Sequence, residues 1–447
     1  MNDLISKAHR ILGAFILGGS ADALGWRNES ASRNAHRKPL SKLEGWSKRI
    51  GRVGGYWDRI DPGEYSDDTQ LTLAVARCVS PHGEYDADRF VKIELPYWLA
   101  YERGGGRTVR SAAKNALKNP DVSWDTNIFE GYYQSGANGA AMRIFPLATI
   151  PDISETVRAV WQNALSTHGH SRAIVSALLM AFSLHELLWI ENYSPQLYKM
   201  NIMEFLSRLQ PPEDRRVQDW IEQAGREKFV GSFRHTCEEM QSFMDLAFTS
   251  ENSDAERVLE QLGCYNSQTR GSGTATVAAA HYFFFKHYDD PLGAIFESAN
   301  ALGTDTDTIA KLCGDLLGCI HGRVAYENQF TESVKNRFYF LSMARYLIGK
   351  EVPHWTLVQK EETDLAEPRK EGDEYYSCVF GPGLIVKVRP PFAIRKGTAV
   401  VHQVKAQFQC GLTSVFSKTI PTEQHNQNRQ LWEDNVDLGV DDEESKA

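Results

Sequence analysis

Cysteine is sparse in this chain, and what there is sits badly for pairing. Cys78, Cys237, Cys264, Cys313, Cys319, Cys378 and Cys410 are odd in number and scattered, with no Cys-x-x-C pair and no Cys/His cluster. That excludes a disulfide framework or a zinc site of ordinary spacing and fits a reducing compartment, so a cytoplasmic location is expected. A basic excess is also missing. The net charge of −9 argues against a general electrostatic grip on nucleic acid. No apolar run reads as the roughly 18–20 residues needed to span a bilayer, so no membrane association is expected. Lys7 and Arg10 ahead of Ile11 to Leu17, followed by Ala21-Asp22-Ala23, imitate a secretory leader. The run is short and continues into a glycine-rich stretch, so it reads as a helix of the mature protein.

Strand alternation is nearly absent before residue 350, which points to a compact all-α domain over 1–352 built of many helices. Ile174, Ala177, Leu178, Ala181, Leu184 and Leu188 repeat at three-and-four spacing, the signature of a packed helix. Ala310, Gly314, Gly318 and Gly322 recur every fourth residue. Each glycine costs a helix about 1 kcal/mol relative to alanine, so such a stripe implies another element packed close against it. Residues 27–60, with Arg33, Arg37, Lys38, Lys42, Lys48, Arg49 and Arg52 and then Gly54-Gly55, read as a long basic loop. A charged linker is expected over 353–371 and a small β-rich module over 372–425. There Gly381-Pro382-Gly383 reads as a hairpin turn, and Val404, Ala406, Phe408 and Cys410 alternate with polar residues. The acidic end, 426–447, reads as disordered.

The chemistry concentrates in two acidic clusters, each at a helix start. One is Ser66-Asp67-Asp68-Thr69, where Asp67 and Gln70 have capping-box spacing; the other is Asp305-Thr306-Asp307-Thr308. Each cluster taken alone reads as a helix cap, but one carboxylate suffices for capping, and two clusters of the same acidic-hydroxyl make-up point beyond it. A pair of divalent ions held by Ser66, Asp67, Asp68, Asp305, Asp307 and Thr308 would explain all six, since hard cations favour oxygen ligands. Asp22, alone among small residues in Gly18 to Gly25, is expected to be hydrogen-bonded or functional. Arg143 is expected to reach a phosphate or to pair with an interior carboxylate.

With these motifs in their order, the chain resembles the ADP-ribosylglycohydrolase family. The matching segments are Gly18 to Gly25, Ser66-Asp67-Asp68-Thr69, Asn138-Gly139-Ala140-Ala141-Met142-Arg143, Thr167-His168 and Gly303 to Ala310, across roughly residues 5–350. The resemblance implies a compact, orthogonal multi-helix fold with a two-ion Mg²⁺ centre (Mn²⁺ as the alternative). It implies that Asn138, Gly139, Ala140, Ala141 and Met142 cradle a diphosphate, that His168 lies near the distal ribose, and that Glu29 covers the metals. There are departures: Ser66 for the commoner threonine, Thr304 for a second glycine, Ala21 for a glycine before the aspartate, and Arg27 for a proline.

The implied activity is metal-dependent hydrolysis of the N- or O-glycosidic bond between ADP-ribose and a modified protein side chain or small acceptor. Asp68 or Asp307 would serve as general base, with Glu29 as a further catalytic candidate. Two other readings stand beside it. One is a non-catalytic ADP-ribose-binding or recognition protein, and the other is a metal-independent glycosidase using two carboxylates.

Overall fold

The computed structural model describes residues 2–50, 56–350, 362–394 and 397–438, those at 2–6 and 431–438 by backbone only. The elements used below are, in chain order, helix α1 (Asn2–Gly25), strands β1 (Trp46–Ile50) and β2 (Tyr56–Ile60), and helices α2 (Asp67–Ala76), α3 (Ser171–Trp189), α4 (Gly273–Lys286) and α5 (Thr306–His321). Strands β3 (Glu374–Ser377), β4 (Gly381–Ile394), β5 (Ala399–Phe408) and β6 (Thr413–Pro421) follow, and then helix α6 (Thr422–Leu438). The chain divides into two compact units, 1–44 with 62–352, and 45–61 with 353–447.

The first unit is a packed set of helices whose innermost pair is α1 and α5. The glycine stripe of α5 has the neighbour it requires. A Cβ placed on Gly318 would lie 2.3 Å from the Ala14 nitrogen, and one on Gly13 would lie 2.6 Å from the Gly318 carbonyl oxygen. Only glycine allows two helix backbones to meet at that range. The contact fixes both helices deep in the unit and therefore fixes the α5 N-terminus, which carries Asp305 and Asp307. Phe15, Leu17, Leu178, Leu184, Ile309 and Leu316 are all buried around this pair.

Helix α3 corrects one expectation. Its 19 residues have a mean hydropathy of 1.3, enough by length and composition to cross a membrane. Yet 83% of that window is buried inside the protein. Its apolar character is spent on packing against other helices, as for a core helix.

The second unit is a four-stranded antiparallel meander, β3-β4-β5-β6, with the separate hairpin β1-β2. Val404, Ala406 and Phe408 are buried on β5, in agreement with the alternation read from sequence. Several local readings change. Residues 27–60 are not wholly loop: Trp46 pairs with Ile60 and Ile50 with Tyr56. Lys48 and Arg49 hid that alternation. Gly54 and Gly55 lie outside the described residues. Gly381-Pro382-Gly383 is the start of β4 rather than a turn, since Ser377 pairs with Gly381. The turn is 378–380, held by Ser377 Oγ accepting from the amides of Val379 (3.1 Å) and Phe380 (2.9 Å).

The stretch read as linker is tied to the sheet in its described part. Thr363 N donates to Tyr376 O (3.1 Å), and Tyr376 N donates to Thr363 Oγ1 (2.8 Å). Residues 353–361 lie outside the described residues. The segment read as a disordered acidic tail is helical through Leu438. Asn428 Nδ2 anchors that helix to Ala366 O at 2.8 Å, a contact invisible to composition.

Candidate functional site

The two acidic helix starts differ in how they are capped, and the difference decides what their carboxylates are free to do. At α2 the cap is Ser66, whose Oγ accepts from Asp68 N at 3.2 Å. Asp67 is thus the first helical residue, and the capping box read from Asp67 and Gln70 does not form. Gln70 instead donates to Tyr101 O (2.9 Å) and accepts from Trp98 Nε1 (3.0 Å). The remaining helix-start donors are taken by Asp22, which is fully buried. Its carboxylate accepts from Ser66 N (3.0 Å), Thr69 N (3.0 Å) and Thr69 Oγ1 (2.6 Å). Asp22 is hydrogen-bonded, and it orients the Ser66–Thr69 turn.

At α5, Asp305 occupies the cap position but makes no side-chain capping bond. Its Oδ2 accepts from Asn138 Nδ2 at 2.7 Å instead. Asp307 Oδ1 accepts from Thr308 N at 3.0 Å. Carboxyl oxygens of Glu29, Asp305 and Asp307 all lie within 4.8 Å of one another. Asp67 and Asp68 are not part of that group. Asp68 is still close enough for the charge of Asp305 to act on it.

The electrostatics are those of carboxylates held together against their repulsion. Burial, then Asp22 and Asp67, push the Asp68 carboxyl well above the usual range. Burial, then Glu29 and Asp305, do the same to Asp307. Asp305 is also raised, by burial and then Glu29. The Oδ2 atom of Asp68 is buried with no hydrogen-bond partner. Beneath the cluster, Lys311 and Asp315 form a buried ion pair at 2.6 Å, and the Lys311 charge partly offsets the rise at Asp22 and Asp68.

These residues fit a divalent cation. The donors are carboxylates and hydroxyls, hard oxygen ligands, and one buried carboxylate oxygen lacks any partner. Both clusters also sit at helix N-termini, whose partial positive charge helps hold anions in place.

Two loops complete the site. Asn138 N donates to Gly271 O (3.0 Å), and Gly273 N donates to Gly136 O (2.9 Å), which zips the Asn138–Met142 loop to the entry of α4. Arg143, fully buried, donates to Gly139 O (2.6 Å), to Asn163 Oδ1 and O (both 2.9 Å) and to Thr167 Oγ1 (2.7 Å). No carboxylate faces it among the described residues, which corrects the expectation of pairing with an interior carboxylate. Burial lowers its pKa to about 10. Its role is to pin the loop carrying Gly139 to the turn carrying His168.

His168 is buried, and its Nδ1 lies 2.7 Å from Thr167 Oγ1. That hydroxyl also accepts from Arg143, and when its own proton points to His168 Nδ1 the hydrogen of the ring sits on Nε2. Nε2 is buried without a partner and faces Gly139, where an added Cβ would come within 3.2 Å of it. Burial and the Arg143 charge depress the imidazole to about 3, so it is neutral at pH 7. Two residues on, His170 caps α3, its Nδ1 accepting from Arg172 N at 3.1 Å.

Sequence reasoning missed Arg270, whose Nη2 donates to Glu29 O at 2.5 Å and so holds the segment bearing Glu29. Its only signal was its place directly before Gly271-Ser272-Gly273. The Asn138 side chain was also missed, since only its backbone had been assigned a role.

A family profile described as ADP-ribosylglycohydrolase matches residues 3–356. Among characterised relatives, the ADP-ribosyl-[dinitrogen reductase] glycohydrolase of Rhodospirillum rubrum is 28% identical over 184 residues, covering 40% of this chain and 58% of that protein. The match therefore spans little more than half the length of that relative. The uncharacterized protein YegU of Escherichia coli (strain K12) is 25% identical over 331 residues, 71% of this chain and 89% of its own. A solved structure titled ADP-ribosylglycohydrolase-related protein complex superposes with a TM-score of 0.54 at 19% identity, over 78% of this chain and all of that one, and so shares the fold. With its helical fold, paired acidic helix starts and matched span, this chain belongs to the ADP-ribosylglycohydrolase family.

Proposed function

We propose that this protein is a divalent-metal-dependent hydrolase that cleaves the N- or O-glycosidic bond between ADP-ribose and a modified protein side chain or small acceptor, reversing ADP-ribosylation. The observation that carries this reading is the meeting of Glu29, Asp305 and Asp307 within 4.8 Å, beside the unpartnered buried oxygen of Asp68. Two Mg²⁺ ions (or Mn²⁺) would be held by Ser66, Asp67, Asp68, Asp305, Asp307 and Thr308, with Glu29 closing over them. When bound, such ions supply Lewis acidity toward ribose hydroxyls and lower the pKa of bound water.

The chain's own residues then act as follows. The Asn138–Met142 loop receives the diphosphate chiefly at Gly139 and Ala140, since the amides of Asn138, Ala141 and Met142 already donate to Gly271 O and Asn138 O. His168 Nε2–H donates to an oxygen of the distal ribose, staying neutral through the ordinary pH range. Asp68 or Asp307 takes the proton of the attacking water while the water oxygen bonds to the anomeric carbon. The bond to the acceptor breaks through an oxocarbenium-like state, and the acceptor leaves with the proton that this carboxylate took from the water. A cytoplasmic setting belongs to the same reading, supported by seven cysteines that are odd in number and scattered along the chain.

The test is release of ADP-ribose from arginine-linked, serine-linked and small-molecule conjugates by Mg²⁺-loaded protein. Release that stops on chelation is expected. Release unaffected by chelation would favour the two-carboxylate glycosidase, and saturable ADP-ribose binding without release would favour a recognition protein.

A further inference from the structure

The second unit contains a cavity of about 390 Å³ with no counterpart in the reading above. Its size falls in the range of small-molecule sites. Arg369, Arg389, Arg429, His402 and His425 all line it, against one carboxylate, Glu367. They come from the sheet, from the segment before it and from the helix after it. Arg389 and His402 stand on the neighbouring strands β4 and β5, Arg369 on the turn before the sheet, and His425 and Arg429 on α6.

The lining is organised. Arg389 is held by Asp58 (2.8 Å), Gln403 (3.1 Å) and Arg59 O (3.0 Å), which fixes its guanidinium at the wall. Arg369 donates through Nε and Nη2 to Asp364 O and through Nη2 to Glu367. Its Nη1 makes no hydrogen bond among the described residues. The Glu367 side chain is 66% exposed, so solvent screens its hold on Arg369. His402 Nε2 and His425 Nδ1 lie 3.0 Å apart and share one hydrogen, which leaves the other nitrogen of each ring without a partner among the described residues. Pro368, Pro391 and Val404 supply apolar wall between these groups.

We propose that this cavity binds a small phosphate-bearing anion, at a site separate from the acidic helix starts. A tetrahedral oxyanion offers oxygens in every direction and so suits donors arriving from a sheet, a turn and a helix. A planar carboxylate accepts mainly within its own plane and so matches donors from three directions less well. Guanidinium groups are well matched to phosphate oxygens, and the histidine pair adds donors when an anion favours its protonated form. The inference does not depend on the hydrolase reading, since it uses none of the same residues.

The test uses full-length protein and inorganic phosphate, followed through the ring nitrogens of His402 and His425 by NMR. Saturable movement of both rings is expected, with a rise in the pH at which the pair titrates, and with acetate failing to compete. Arg369→Gln should weaken phosphate binding about tenfold, the weight of one charge-assisted hydrogen bond. Arg429→Gln, at an exposed position of α6 that also lines the cavity, gives a second variant, and it should weaken binding as well, with circular dichroism confirming that both variants fold. Phosphate effects confined to the neighbourhood of His168, equal competition by acetate, or unchanged affinity in both variants would overturn the proposal.

Discussion

Asn138 Nδ2 donates to Asp305 Oδ2 at 2.7 Å, joining the diphosphate-loop candidate to the acidic turn across 167 positions of sequence. A second bond, to Thr276 Oγ1 at 3.1 Å, holds the amide in place. Asp305 is thereby oriented by a side chain rather than by its own helix. Asn138→Ala should leave the fold intact and lower metal affinity or ADP-ribose release by about 10–100-fold, as loss of a ligand-orienting partner does. Metal titration by calorimetry, alongside circular dichroism, checks both halves.

Asp305→Asn and Asp307→Asn should abolish release while raising or preserving the stability of the metal-free protein. Each removes one of several buried carboxylates that push one another's pKa upward. The rise in melting temperature that Mg²⁺ produces by binding the native state should disappear with it. Full turnover in either variant would remove the metal-centre reading.

Gly318→Ala should destabilise the first unit by about 1–3 kcal/mol, because the new methyl meets the Ala14 backbone, which cannot step aside. Gly231→Ala is the control. That glycine lies in the helix Arg226–Thr249 with open space where its Cβ would be, so the change should stabilise by about 0.5–1 kcal/mol. Chemical denaturation of the two variants should move in opposite directions.

Acid should destabilise the protein through two histidines. Burial and Arg143 hold His168 at about 3, and burial holds His281 at about 4, against an ordinary value of 6.5. The unfolded chain binds protons in that interval while the folded one does not. The stability they confer is therefore complete above 6.5 and is lost as pH falls toward 4 and then 3. Each contributes a slope of up to about 1.4 kcal/mol per pH unit. The raised carboxylates Asp68, Asp305, Asp307 and Asp315 act in the opposite sense, so the histidine contribution is read by difference: urea denaturation at pH 7, 6 and 5 should show a loss of stability on acidification that is smaller in His281→Gln than in the parent protein.

The helical class, the two acidic helix starts and the glycine stripe were all legible in the sequence. Each is a local pattern with a physical cause: three-and-four periodicity, charge beside a hydroxyl at a helix start, small residues one turn apart. The hairpin Trp46–Ile60 was hidden because its strands alternate around arginine and lysine, and the helix Thr422–Leu438 because acidic composition resembles that of a disordered tail.

What the sequence determined by itself was the inventory: which residues carry oxygen donors, and which helices must pack without side chains between them. Tertiary structure decided which donors meet. It placed Glu29 with Asp305 and Asp307, left Asp67 and Asp68 outside that group, gave Asp22 to the backbone of Ser66 and Thr69, and made Arg143 a brace. Such outcomes depend on segments far apart in the chain arriving at one place, and spacing along a sequence holds no record of that arrival.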